Sequence, residues 1–286
     1  MSRSLALLPA ALLAALAGCA SVPSPLAPNV KGSIGGPSFG LLTSSAELPA
    51  RGQGFRRLRP ASPTYFGTPA LVATLQHAAA IVSPRPEDPP LLVGDIAGKR
   101  GGKLEGHHSH RTGRDVDLLF FYTTLGGEPL ESPGFLKVQP DGLAFVRDRK
   151  PEQPHFVRFD VERSWALVKA LLQSPDSEVL WIFCSVPVEA LLTEHARARG
   201  EPDELVWRAV SVMQQPGDST PHDDHFHLRI RCTPDEELAG CVSGGPDWPW
   251  LSRRASFPAE LDAHLAELLT DPPEEGAATD TGRAGP

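Results

Sequence analysis

No two cysteines in this chain are spaced C-x-x-C, and only 4 occur in 286 residues. A structural zinc held by thiolates and a dithiol redox centre both lack their ligands. The motif H-E-x-x-H is missing as well, which removes the metallopeptidase plan whose base is a glutamate on the zinc-binding helix. Positive charge is in deficit: 27 Lys and Arg against 35 Asp and Glu give a net charge of −8. That balance argues against sequence-independent binding to nucleic acid, which needs a basic face. No internal repeat is visible, and no apolar run approaches the roughly 18 residues of a spanning helix. Ser109 and Ser185 have no triad context, so a serine nucleophile finds no support. What remains has globular composition, 41% apolar and 22% charged, with 30 prolines and length enough for one sizeable core.

The ends read as separate from the fold. Arg3 followed by the apolar run Leu5 to Leu16 has the form of a signal-peptide core. Leu16-Ala17-Gly18-Cys19 resembles the lipobox of bacterial lipoproteins, in which cleavage precedes a cysteine that then carries lipid. Ala20 stands where an Asp would favour inner-membrane retention, so the resemblance implies an outer-membrane anchor. Residues 19–60 are rich in Pro, Gly and Ser without a sustained period and are predicted to be a lipidated tether. Residues 271–286 are predicted to be a disordered acidic tail. The domain is therefore expected over residues 61–270.

Inside those limits helical and strand patterns alternate. Thr68-Pro69 is a helix start, with Leu71, Leu75 and Ala78 on one face. Leu91 to Val93 and Val116 to Tyr122 read as strands. Asp160 caps a helix carrying Trp165, Val168 and Leu172. Val179 to Val186 reads as a buried strand and Val188 to Arg199 as a helix closed by Gly200. Leu205 to Met213 fits helix or strand, and His225 to Arg231 alternates with period two. A last amphipathic helix is expected after Ser256. The order implies a single α+β domain, a central antiparallel sheet flanked by helices and long loops.

Six of the ten histidines lie in two clusters. The first runs Gly106-His107-His108-Ser109-His110, then Gly113-Arg114-Asp115-Val116-Asp117; the second is His222-Asp223-Asp224-His225-Phe226-His227. A catalytic zinc needs three protein ligands and one open position, and histidines with a carboxylate supply such sets. In a strand alternate side chains share a face at ~6.5 Å. His225, His227, Arg229 and Arg231 therefore project one way and Phe226, Leu228 and Ile230 the other. Two imidazoles on that face can both bind metal, or one can bind while the other serves as base. Asp117 lies on the polar side of its strand, and a turn at Thr112-Gly113, where glycine admits positive φ, can fold His110 back over it. Asp115 is read as a supporting acid. Arg111 and Arg114 are candidates for substrate carboxylates or for local pairing, and Arg229 and Arg231 for a carboxylate clamp.

H-x(6)-D from His110 to Asp117 and H-x-H from His225 to His227 resemble the paired motifs of the LAS zinc metallopeptidases. The likeness is closer to the penicillin-insensitive murein endopeptidases. It includes Leu91-Leu92-Val93-Gly94-Asp95, Arg100-Gly101-Gly102, Gly106-His107, Ser109-His110, Gly113, Asp115-Val116-Asp117 and His222-x-x-His225-Phe226-His227-x-Arg229, and covers about Tyr65 to Cys232. The resemblance implies zinc bound by His110, Asp117 and His227, with His225 as base and His107 and His222 lining the site. It implies peptidoglycan as the substrate, D-alanyl–meso-diaminopimelyl amides as the bonds cut, and a periplasmic location. Family members carry six cysteines where this mature domain keeps Cys184, Cys232 and Cys241. A Cys232–Cys241 bridge is preferred slightly to Cys184–Cys232. The same site would also suit a D,D- or L,D-carboxypeptidase acting on stem peptides, and a non-catalytic peptidoglycan-binding lipoprotein is the third reading.

Overall fold

The computed structural model describes residues 31–147, 154–217 and 219–252. It begins with an antiparallel hairpin, β1 (Gly32–Gly36) and β2 (Phe39–Thr43), then the short strands β3 (Ala46–Glu47), β4 (Arg51–Gly52), β5 (Phe55–Arg57) and β6 (Phe66–Gly67). Helix α1 (Pro69–Val82) starts where Thr68 accepts the Leu71 N–H and Pro69 fixes the first turn. Strands β7 (Leu91–Val93), β8 (Asp115–Leu119), β9 (Tyr122–Thr123), β10 (Pro129–Leu130), β11 (Leu143–Phe145) and β12 (Phe156–Phe159) follow. Asp160 then caps α2 (Val161–Leu172) by accepting the Arg163 N–H. The chain continues through β13 (Val179–Phe183), α3 (Val186–Ala198), α4 (Asp203–Val212), β14 (Met213–Gln214), β15 (His225–Ile230) and α5 (Pro234–Leu238).

One seven-stranded sheet, ordered β14-β13-β15-β8-β7-β5-β4, organises this single α+β domain. Its centre is antiparallel, β13 to β15 to β8 to β7. The antiparallel expectation holds there and yields at both sides, where β5 pairs parallel with β7 and β14 parallel with β13. A second sheet, β10-β9-β12-β11, stands beside it. Val116 and Leu118 of β8 and Phe226, Leu228 and Ile230 of β15 enter one core with Leu71 and Leu75 of α1, Trp165 and Val168 of α2 and Ala209 of α4. Strand alternation then sends Asp115, Asp117, His225, His227 and Arg229 to the opposite face.

The tether expectation is corrected between Gly32 and Arg57. These residues form five strands, and β5 belongs to the central sheet. Their strands are only two to five residues long, too short for a periodic pattern to mark them, and the first hairpin is held by side chains far along the chain. Ser33 is one such contact. Its backbone N–H donates to Glu236 at 3.0 Å, and its hydroxyl accepts from Arg114 at 2.9 Å. The ambiguous Leu205–Met213 stretch is helix α4 running into β14. The leader, Cys19, the acidic tail and the helix expected after Ser256 lie outside the described residues.

Arg114 is fully buried, so it is a structural tie rather than a ligand for substrate. Its guanidinium also donates to the backbone oxygens of Ile230 (3.1 Å) and Val242 (3.0 Å), pinning β15, the C-terminal segment and the first hairpin together. Arg114→Met is expected to lower unfolding free energy by roughly 2–4 kcal/mol, since it strands buried acceptors that had a charged donor. Urea denaturation checks this, and a change under about 0.5 kcal/mol would deny Arg114 that role. The Cys232–Cys241 disulfide is formed and Cys184 is a buried free thiol, in line with the preferred pairing.

Candidate metal centre and active site

β15 lies beside β8 with His227 directly opposite Asp117 and Arg229 opposite Asp115. The histidine pair and the two carboxylates thus meet on one sheet face. His110 arrives from the loop before β8. Gly113 takes φ +71° in that loop, where a Cβ would sit 2.6 Å from Leu42 Cδ2. His110 itself is held at φ 62°, a left-handed conformation costly for a non-glycine residue and most often retained where function demands it. The result is the fold-back expected from the sequence: His110 Nε2 stands 3.3 Å from Asp117 Oδ1. Gly94, just past β7, allows Asp117 its position, since a Cβ there would lie 3.0 Å from Asp117 Cβ.

Three imidazole nitrogens surround Asp117 Oδ1: His110 Nε2 at 3.3 Å, His225 Nε2 at 3.4 Å and His227 Nδ1 at 3.6 Å. Both His110 Nε2 and Asp117 Oδ1 are buried without a hydrogen-bond partner. Two orphaned buried polar atoms facing each other are a costly arrangement in a protein interior, and a cation between them removes the cost. Each ring is oriented from behind, as metal-binding histidines are. His110 Nδ1 donates to the Ile96 carbonyl at 2.8 Å, leaving the Nε2 lone pair to face the site. His227 Nε2 donates to Asp115 Oδ1 at 2.8 Å, leaving Nδ1 inward, and Arg229 Nε donates to the same oxygen at 2.6 Å.

His107 is the other neighbour. His107, His110 and Asp117 each offer a ligand atom within 4.8 Å of one another. The His107 ring is only partly buried, with Nε2 3.4 Å from Asp95 Oδ2 and Nδ1 3.9 Å from Asp117 Oδ2. Asp95 is fixed in turn by Thr64 and Arg59, at 2.5 Å each. Burial would raise its pKa, but His107, Thr64 and Arg59 outweigh that and hold the carboxyl below its ordinary range.

The second cluster supplies a dyad. His225 Nδ1 donates to Asp224 Oδ1 at 2.5 Å, so its Nε2 faces the centre. Phe135 meets this ring edge-on at a centroid distance of 5.3 Å. Burial alone would depress the His225 pKa, yet the neighbouring carboxylates of Asp117 and Asp224 carry it up to about 9 in the metal-free cluster. His222 lies 5.2 Å away, centroid to centroid. Burial, with His225 and His227 nearby, brings its pKa down to about 4, so it is a neutral imidazole. Asp115 and Asp117 remain well below the usual carboxylate range: burial opposes ionisation, and it is outweighed by Arg229 and His227 at Asp115 and by His110 and His225 at Asp117.

A buried His-carboxylate cluster with a His–Asp dyad at its edge suits hydrolysis of an amide. The sequence profile of the penicillin-insensitive murein endopeptidases matches residues 33–246. The chain belongs to that family. The penicillin-insensitive murein endopeptidase of Haemophilus influenzae is 30% identical over 217 residues, 71% of this chain and 64% of that protein. One from Escherichia coli is 30% identical over 231 residues, covering 79% of this chain and 77% of its own length. One from Yersinia enterocolitica is 28% identical over 204 residues, 71% of this chain and 67% of that protein. The chain thus spans just under two thirds of the Haemophilus relative and somewhat more of the other two.

In this member of the murein endopeptidase family all six candidate residues, His107, His110, Asp117, His222, His225 and His227, converge on one cluster. The carboxylate-clamp expectation does not hold. Arg229 is committed to Asp115, and Arg231, just beyond the end of β15, is 5% exposed and pairs with Glu178 and Glu237. Sequence reasoning gave no role to Asp95, Asp224 or Phe135. Asp224 was detectable as the acid preceding His225, and Asp95 as the residue after the Val93-Gly94 strand end. Phe135 had no local signal.

Proposed function

We propose that this chain is a zinc-dependent murein endopeptidase hydrolysing D-alanyl–meso-diaminopimelyl cross-links, exported to the periplasm and tethered to the outer membrane by lipid on Cys19. Murein endopeptidase function follows from family membership. The zinc rests on one observation above all, the orphaned pair His110 Nε2 and Asp117 Oδ1. Two histidines and a carboxylate leave the fourth position of a tetrahedral ion open. His227 is assigned as the third ligand in preference to His107. It is more deeply buried, its inward nitrogen is nearer Asp117, and Asp115 holds its ring.

When bound, zinc supplies Lewis acidity toward a carbonyl oxygen and toward water. His110, Asp117 and His227 would hold the ion. His225 Nε2 accepts the proton of the attacking water and returns it to the departing amine, while Asp224 keeps the ring in the required tautomer. Neutral His222 donates a hydrogen bond to the developing oxyanion. His107, steadied by Asp95, lines the same space.

Digestion of purified sacculi with and without chelator, products read by mass spectrometry, tests the activity. Cross-linked dimers should fall to monomers only in the untreated sample. Loss of terminal D-alanine alone would make the enzyme a carboxypeptidase, and intact sacculi in both samples would leave it a binding protein. The ligand choice has its own test. The protein is expected to carry close to one zinc per chain, His107→Ala to retain it and His227→Ala to lose it; metal analysis showing the reverse would exchange the two residues. For the anchor, Cys19→Ser is expected to shift the protein from the membrane to the soluble fraction. Unchanged fractionation would remove the lipid from the reading.

A further inference from the structure

Beside the histidine cluster runs a groove of about 490 Å³, lined among others by Phe135, Lys137, Phe145, Arg147, Phe156 and Asp224. It is continuous with the site. Asp224, which orients His225, forms part of its wall, and Phe135 is both a wall residue and the edge contact of the His225 ring. The backbone locks the two together, because Val138 N–H donates to the Asp223 carbonyl at 2.7 Å.

Its lining has two chemistries. Phe145 and Phe156, from neighbouring strands β11 and β12, pack at a centroid distance of 5.3 Å and yet stay 48% and 47% exposed. Two half-exposed phenylalanines side by side form an apolar floor with room for a ligand. Lys137 and Arg147 add two cations, in a protein whose net charge is −8. Lys137 Nζ stands 3.5 Å from Asp223 Oδ2, its side chain 66% exposed, so two of its three donors remain available. Ligand sites commonly combine an apolar surface with a few charged groups that fix orientation.

We infer that this groove binds the stem peptide on one side of the scissile amide, with Arg147 and Lys137 holding a stem carboxylate and Phe145 and Phe156 supporting its aliphatic part. The inference rests on the murein peptidase reading, because it is the stem of that substrate that carries both carboxylates and short aliphatic side chains. Lys137 and Arg147 are then specificity-determining residues, separate from the groups that carry out proton transfer.

The test compares the purified full-length protein with the double variant Lys137→Gln/Arg147→Gln on two cross-linked muropeptide dimers, one with free stem carboxylates and one with those carboxylates amidated. Both residues lie on the surface, and equal thermal midpoints of protein and variant would verify folding. On the free-acid dimer KM should rise about tenfold with kcat changed less than about twofold, as expected for lost contacts made equally in ground and transition states. On the amidated dimer variant and parent should match. Equal KM values for variant and parent on the free acid would overturn the inference, and so would an identical rise on both dimers, which marks a change of groove shape rather than of charge recognition. If the parent hydrolyses neither dimer, the peptidase reading itself fails and takes the inference with it. Parent activity therefore separates the two kinds of failure.

Discussion

His225→Ala is expected to keep the bound metal and lower turnover by about 10²–10⁴-fold, the usual contribution of a positioned acid–base group, whereas His227→Ala is expected to lose metal and activity together. The two imidazoles are neighbours on one strand face, and their different tasks follow from what stands behind each. His227 is backed by Asp115, which is fully buried and already engaged by Arg229, so the ring is fixed with Nδ1 inward beside Asp117. His225 is backed by Asp224, which is partly exposed and lies at the groove, so that ring sits where the protein meets solvent and substrate. Asp224→Asn should reproduce part of the His225 defect, because an amide can donate to Nδ1 and favour the wrong tautomer. Metal analysis alongside steady-state rates decides the matter. Zinc lost from His225→Ala but kept by His227→Ala would reverse the roles, and full hydrolysis by both would place the chemistry elsewhere.

The sequence was most informative where a local rule was sufficient. Period two in β15 put His225, His227 and Arg229 on one face, and the structure keeps them there because Phe226, Leu228 and Ile230 are core residues. Thr68-Pro69 and Asp160 marked helix starts through their own capping chemistry. Alternation failed at Arg231, where the strand has ended and Glu178 and Glu237 decide the side chain's direction. The first hairpin was illegible for a different reason. Its stability lies in Arg114 and Glu236, far along the chain, and a Gly-rich segment carries no trace of partners that distant. Asp95 and Asp224 fall between these cases. Each is visible as an acid beside a motif, but which carboxylate supports which imidazole depends on the path of a loop.

Removing the metal is expected to abolish hydrolysis and leave a folded protein whose stability depends on pH in a specific way. In the metal-free cluster His225 has its pKa raised from 6.5 to about 9, and that of His110 is raised as well, with Asp117 the main opposing partner to burial in both. A raised histidine contributes stability that is fully present below the unfolded value of 6.5 and is lost as pH climbs through about 9. The depressed carboxylates Asp115 and Asp117 contribute stability present above 3.8 and lost as pH falls toward their folded values. His222, lowered to about 4, and His227, also lowered, act the other way: the cost of keeping them neutral is relieved as pH rises toward 6.5. Metal-free protein should therefore be most stable near pH 6.5 and, through His225, weaken by roughly 3 kcal/mol toward pH 9, at 1.36 kcal/mol per unit. Zinc competes with protons for the same nitrogens, so its affinity rises over that range. Its stabilising effect should accordingly be larger at pH 9 than at pH 6, while activity declines on the acid side as the ligands take up protons and release the ion. Urea unfolding with and without zinc at the two pH values measures this. An equal or smaller zinc effect at pH 9 would mean that the imidazoles around Asp117 do not hold the metal.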